Sequence, residues 1–375
     1  MDFFECFHSN STAGSGNQHF FTMTEGDVRT GRIFYKITVG GTYRYSLLYS
    51  NIIDSTFSDG ALSHKNLVCD SWHIHAARVG RASFVPALWD MGAVMVSDKG
   101  EGKQTDVVVS DWTALSFDGK AEKDVHPGEF FASDPVALSF AAGEYLCVEL
   151  TFSGQKIPYH EESLLPLFVK ENGVWTYSKR VPPVGMVGCD RPVKKRIAFL
   201  GDSITQGIGT TPNSYKHWNA LLADKLGTEY AFWNLGLGFG RANDAASDGA
   251  WLYKAKQNDV VFVCYGVNDV LRGLDEEQIK ADLAYIVQAL TGQGVHVILQ
   301  TVPPFDYAPD IVPKWERINR YIRAELAARV DRVFDTVPVL GREECASAAK
   351  YGGHPNEEGC AVWAEALYQA VKSLL

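Results

Sequence analysis

Ile197-Ala198-Phe199-Leu200-Gly201-Asp202-Ser203-Ile204-Thr205 lies near the middle of the 375-residue chain. Its apolar run reads as a buried strand. The polar, glycine-bearing turn Gln206-Gly207-Ile208-Gly209 follows, and then a helical pattern. A serine directly after a parallel strand stands where open α/β sheets place their chemistry, outside the carboxyl ends of the strands. The fold class of the C-terminal half follows from this stretch if the residues after it keep alternating.

They do. Strands are expected at 196–200, 229–235, 259–265, 294–301 and 331–335, and helices at 214–226, 241–256, 275–291, 313–330 and 356–374. Tyr215, Trp218, Leu221, Leu222 and Leu226 fall on one helical face, and Trp315, Ile318, Ile322 and Leu326 on another. Pro313 suits a first helical turn. Five β-α units predict a parallel sheet covered by helices on both faces.

Working back from Arg196 the pattern changes. Residues 181–195 are Pro-rich and then basic, which reads as a linker. Residues 1–180 read as all-β, with short runs at 32–39, 43–52, 72–79, 107–109, 136–140 and 144–152. Gly40-Gly41 is a hairpin signal between the first two. Many short strands predict a β-sandwich or jelly roll. The chain is thus expected to be an accessory β-domain (1–180), a linker (181–195) and an α/β domain (196–375). His73 and His75 alternate with Ile74, which places both on one strand face. With no third ligand in view they read as ordinary strand histidines rather than a metal site. Trp72, Trp89 and Trp112 read as core rather than as a sugar platform.

The formal charge of -10 argues against nucleic acid or an anionic membrane as partner. No apolar run approaches a membrane span. No basic-then-apolar leader opens the sequence, and its seven scattered cysteines contain no C-x-x-C, which together predict a cytoplasmic protein with reduced thiols. The sequence leaves the oligomeric state open.

Four polar or glycine-rich segments fall on the carboxyl edge of the expected sheet. They are Gly201-Asp202-Ser203, the block Asn234-Leu235-Gly236-Leu237-Gly238-Phe239-Gly240-Arg241, Gly266-Val267-Asn268-Asp269, and Gly352-Gly353-His354-Pro355 before the last helix. Together they hold what acyl transfer needs. Ser203 supplies a nucleophile, His354 a base, and the Ser203 N–H, a glycine N–H and the Asn268 amide supply donors for an oxyanion. Asp202 is expected to bond loop amides with its carboxylate turned from Ser203, Asp269 to organise its own turn, and His217 to face solvent. Neither a metal nor a cofactor is required.

This set of blocks, in this order over 196–375, resembles the SGNH (GDSL) hydrolase superfamily. The resemblance implies a flavodoxin-like three-layer fold and ester hydrolysis, with Ser203 as nucleophile, Asn268 and a glycine in the oxyanion hole, and His354 as base. A weaker resemblance, carried by Pro127-Gly128, Ser133-Asp134-Pro135-Val136 and Ala142-Gly143-Glu144-Tyr145-Leu146, is to the β-sandwich of two-domain members. The chain departs from the family pattern twice. The family's aspartate, three residues before the histidine, is here Tyr351. Three readings stay open. A backbone carbonyl orients His354, an acid from elsewhere (Asp335, Glu357 or Glu358) does so, or the site is repurposed. The family's donor glycine falls at Phe239. Gly240 is then the favoured donor and Gly238 the alternative. The expected activity is a serine esterase for small acyl groups on a small-molecule or oligosaccharide ester, with carbohydrate O-acetyl groups foremost. Its rivals are an acyltransferase using the same acyl-enzyme and a non-catalytic carbohydrate-binding protein.

Overall fold

The computed structural model describes residues 3–58, 62–86, 101–342, 345–349, 351 and 353–375. The chain divides into two compact units. One holds Met1–Asp54 and Asn66–Pro192, and the other holds Ser55–Lys65 and Val193–Leu375.

The first unit is antiparallel β. Gly41–Ser50 pairs with Met186–Cys189, Phe130–Ala132 and Val136–Phe140 in a five-stranded sheet. Arg29–Lys36, Trp72–Ala82 and Tyr145–Gly154 form the centre of an eight-stranded one. Tyr49 and Phe131 of the smaller sheet stack at 5.0 Å, and Trp72 of the larger one meets the Phe131 ring edge-on at 6.2 Å. Aromatic side chains at alternating positions thus fill the space between two sheets.

Three expectations change here. Gly40-Gly41 joins strands of different sheets, so the turn carries the chain across the sandwich instead of closing a hairpin. Residues 107–109 are not a strand, although Val107 and Val109 still pack on the core. Within the expected linker, Met186–Cys189 is a fully buried strand of the smaller sheet. Proline-rich flanks hid it. Trp72 is buried as expected, and Trp112 is half-buried, with the guanidiniums of Arg32 and Arg78 over its ring. Trp89 lies outside the described residues. The His73 and His75 rings sit 4.5 Å apart on one strand face, bonded to Asp124 and Ser153.

The second unit is α/β. Its parallel strands are β1 (Lys195–Gly201), β2 (Tyr230–Gly236), β3 (Val260–Cys264), β4 (His296–Gln300) and β5 (Arg332–Phe334), in the order 2-1-3-4-5. That order reverses direction between β1 and β3, and the crevice outside such a switch point is where flavodoxin-like sheets bind ligands. β2 and β3 are buried at every position, as strands covered on both faces must be. Trp218 of helix Trp218–Leu226 stacks at 5.0 Å on Trp363 of helix Glu357–Val371. Helix Val312–Tyr321 buries Trp315 and Ile318, and the π turn Ile322–Leu326 continues it with Ile322 and Leu326 buried. The expected 241–256 helix is two short ones, Ala242–Ala245 and Ala250–Ala255. Tyr215, expected on the first helical face, lies before that helix with φ of 56°. No helix among the described residues is long and apolar enough to cross a membrane.

Candidate active site

The parallel register brings Gly201 of β1 level with Gly236 of β2 and Cys264 of β3. Three loops therefore leave the sheet side by side. Each glycine is a packing necessity. A Cβ on Gly201 would lie 2.2 Å from Thr205 Oγ1, and one on Gly236 would lie 2.1 Å from the Gln206 amide nitrogen. The short helix Ser203–Gln206 can sit on the strand ends only because both side chains are missing.

That helix is held tightly. Asp202 Oδ1 accepts from Ile204 N–H at 2.9 Å as its N-cap, and Gly207 closes it with φ of 117°. The carboxylate of Asp202 is thus used on a loop amide, and burial pushes its pKa up to about 7. Asn219 Nδ2 donates to Thr205 O at 2.6 Å, and Asn234 Oδ1 accepts from Gly236 N–H at 2.9 Å. His217, expected to face solvent, is buried and is the N-cap residue of helix Trp218–Leu226. A Cβ on Gly207 would lie 2.8 Å from its own.

On this platform Ser203 Oγ lies 2.9 Å from His354 Nε2. With Oγ–H as donor, Nε2 is unprotonated and the ring proton is on Nδ1. The imidazole meets the Phe305 ring edge-on at 5.3 Å. Burial alone pushes its pKa down to about 4, with no charged group contributing. Gly209, with φ of 102°, brings the nucleophile's loop against the base, since a Cβ there would lie 2.6 Å from Pro355 O and 2.9 Å from His354 Cβ. Tyr351 turns its ring onto Gly359 in the first turn of the last helix, and Gly352 lies outside the described residues.

The three acids considered as partners for the base are placed elsewhere. Asp335 takes both Arg323 Nε and Nη2 at 2.8 Å, Thr301 Oγ1 at 3.0 Å and Val337 N–H at 3.2 Å. Glu357 pairs with Lys216 Nζ at 2.6 Å, and Glu358 is exposed. Asp335 is therefore a structural anchor at the end of β5, and its ion pair with Arg323 is what the sequence did not reveal.

The second loop also differs from expectation. Gly238 N–H donates to Gln206 Oε1 at 2.6 Å, and Gly240 N–H donates to Leu237 O at 3.0 Å. Both glycine amides favoured as oxyanion donors are thus in use. The amide between them, Phe239 N–H, has no acceptor among the described residues, nor has Ser203 N–H. Phe239 adopts φ of 57°, the left-handed region that favours glycine. Asn268 Nδ2 donates to Gly240 O at 3.0 Å, which joins the third loop to the second and leaves one amide hydrogen over. Asp269 also organises the second loop. Its carboxylate accepts from Ala242 N–H at 3.0 Å and Asn243 N–H at 3.3 Å, and burial pushes its pKa up to about 7. Among the described residues no cluster of His, Cys, Asp and Glu is placed to hold a metal ion. The arrangement can pass a proton between a hydroxyl and a neutral imidazole beside unpaired backbone donors.

The family model of the GDSL-like lipase/acylhydrolase family matches residues 199–362. No curated protein matches the sequence. Among solved structures, a member of the lipolytic protein G-D-S-L family from Veillonella parvula is 20% identical, with 48% of this chain and 99% of that one covered, at a TM-score of 0.39. An acetyl xylan esterase, AlAXEase, is 22% identical over 47% and 99%, at 0.38. The salicylyl-acyltransferase SsfX3, from a tetracycline biosynthetic pathway, is 19% identical and covers 81% of both chains, at 0.39. The parallel order 2-1-3-4-5, the serine-bearing turn after β1 and the matched family model make the α/β part of this chain a GDSL-like lipase/acylhydrolase domain of the SGNH/GDSL hydrolase superfamily.

Proposed function

We propose that the α/β unit is a serine esterase that hydrolyses small acyl esters through a Ser203–His354 dyad. The observation that carries it is the 2.9 Å contact between Ser203 Oγ and His354 Nε2 at the carboxyl edge of the switch point, where burial pushes the imidazole pKa down. Ser203 Oγ attacks the ester carbonyl as its proton passes to Nε2. The carbonyl oxygen becomes an oxyanion facing Ser203 N–H, Phe239 N–H and the Asn268 amide. Collapse expels the alcohol, which takes the proton from Nε2. Water then repeats the sequence on the acyl-enzyme, giving up a proton to Nε2 and releasing the acid.

Assigning Phe239 as donor replaces Gly238 and Gly240, because among the described residues its amide, unlike theirs, has no acceptor. We assign the acyl group as acetyl and the alcohol as a carbohydrate, on the resemblance to two-domain esterases alone. Hydrolysis of p-nitrophenyl acetate tests the reaction. Ser203→Ala is expected to lower kcat by at least about 10⁴-fold, with long-chain p-nitrophenyl esters poor substrates of the native protein. Undiminished turnover in Ser203→Ala would refute the dyad.

A further inference from the structure

We propose that Ser55 and Ser63, on an arm supplied by the N-terminal half of the sequence, are positioning residues for the second active-site loop. The proposal rests on the reading of Ser203 and Phe239 given above. Residues 55–65 interrupt the sequence of the β unit yet group with the α/β unit. Of these, residues 55–58 and 62–65 belong to two strands, Ile52–Ser58 and Leu62–Val68, which form a two-stranded sheet of their own. A lone two-stranded ribbon is marginal in water, so its anchors decide where it lies.

The anchors converge on one short segment. Ser55 Oγ donates to Asp244 Oδ2 at 2.8 Å, and Arg241 Nη2 donates to Ser63 Oγ at 2.7 Å. Lys65 Nζ donates to Asn243 Oδ1 at 3.0 Å. Arg241 and Asp244 are themselves paired, Nη2 to Oδ1 at 2.7 Å and Nε to Oδ2 at 3.0 Å, while Arg241 N–H reaches Asp244 Oδ2 at 3.2 Å. Ser55 and Asp244 are both fully buried, so this carboxylate depends on its partners for solvation. The arm therefore holds both members of the pair that starts helix Ala242–Ala245, directly after Phe239-Gly240.

Phe239 gains from such a hold. A left-handed non-glycine residue costs about 1 kcal/mol and persists only when its surroundings impose it. Toward β3, Asn268 fixes Gly240 O and Asp269 fixes the amides of Ala242 and Asn243. Ser55 and Ser63 add a further constraint on the Arg241–Asp244 pair. Serine suits both places, because the hydroxyl can donate to a carboxylate at one and accept from a guanidinium at the other. Neither residue touches the reacting atoms.

The test uses the full chain and p-nitrophenyl acetate. In Ser55→Ala/Ser63→Ala, kcat is expected to fall about 10- to 100-fold, with KM within about 2-fold and the acidic limb of the pH profile unmoved, since His354 is untouched. Backbone deuterium uptake across residues 237–245 should quicken. Ser63→Thr, which keeps the hydroxyl, should restore the rate lost in Ser63→Ala. A native kcat in the double variant, or a loss that only follows the fraction unfolded, would overturn the proposal. If the double variant does not fold, Ser63→Ala alone, at an exposed position, decides by kcat and deuterium uptake. Ser203→Ala is run alongside. Activity in that variant defeats the dyad, whereas an inactive Ser203→Ala with unaltered serine-arm variants defeats only the positioning role.

Discussion

The two partners of the Ser203–His354 contact are held in opposite ways. On the serine side the turn is braced by hydrogen bonds. Asp202 caps the helix, Asn219 and Asn234 brace its carbonyls, and two glycines seat it on the sheet. On the histidine side the hold is packing. Phe305 lies against the ring and Gly209 against its Cβ, and burial is the only cause of its lowered pKa. A nucleophile can be aimed by a polar turn that the sequence spells out. A base with no charged partner among the described residues is aimed by shape, and it stays neutral because its surroundings disfavour the imidazolium.

If shape aims the base, the largest effect should come from filling the one gap that the shape requires. Gly209→Ala would place a methyl 2.6 Å from Pro355 O and 2.9 Å from His354 Cβ. Displacing the base by a fraction of an ångström is expected to lower kcat/KM by about 100-fold. Gly294→Ala is the control. It has φ of 77°, so it bears the same kind of backbone strain, but a Cβ there meets nothing within 4 Å. Its activity should be native while its stability falls by about 1 kcal/mol. Equal activity in the two variants would break the contrast drawn above.

The next effect concerns charge. Because the neutral imidazole is the active form and its pKa is pushed down to about 4, the acidic limb of kcat/KM should fall well below 6.5 and near 4. The sign for stability is the same. The unfolded histidine binds its proton near 6.5 and the folded one near 4, so the contribution is complete above 6.5 and lost as the pH falls toward 4. Tyr351→Asp restores a carboxylate where the family has one. A nearby anion favours the imidazolium, so the limb should move up in pH by about 1 unit or more, and activity at pH 5 should drop relative to pH 8. A wild-type limb at 6.5 or above would mean that His354 already has an acidic partner.

The same contrast explains how much could be read from the sequence. The parallel sheet was legible because β1 to β4 carry apolar runs separated by amphipathic helices, a pattern set by burial. That Ser203 and His354 lie on one edge was legible because β1 ends there and the loop before the last helix returns to it. The β-strand Met186–Cys189 was not, because its four residues are flanked by prolines and gain their pairing from Gly41–Ser50, far away in the sequence. Phe239 was misjudged for a different reason. Glycine signals a left-handed backbone only in the absence of other constraints, and here Asn268, Asp269 and the Arg241–Asp244 pair impose that backbone on a phenylalanine. Arg323 at Asp335, and Ser55 at Asp244, join residues with no spacing rule between them.

The smallest effect is expected at Asp335, and its smallness is informative. Sequence position alone made it a candidate acid, because it follows β5 on the edge that carries the site. Its oxygens are satisfied by Arg323, Thr301 and Val337, and its side chain is 36% exposed in that pair. Asp335→Asn keeps the shape and the bonds to Thr301 and Val337 and loses the charge. An exposed pair of this kind contributes about 1 kcal/mol or less, so the thermal midpoint should shift only slightly. The pH limb set by His354 should stay where it is, and kcat should change by less than about 2-fold, since a carboxylate that touches the base would cost far more when neutralised. A fall in the limb or a large loss of rate in Asp335→Asn would mean that its field reaches the imidazole. The base would then be aimed by charge as well as by shape.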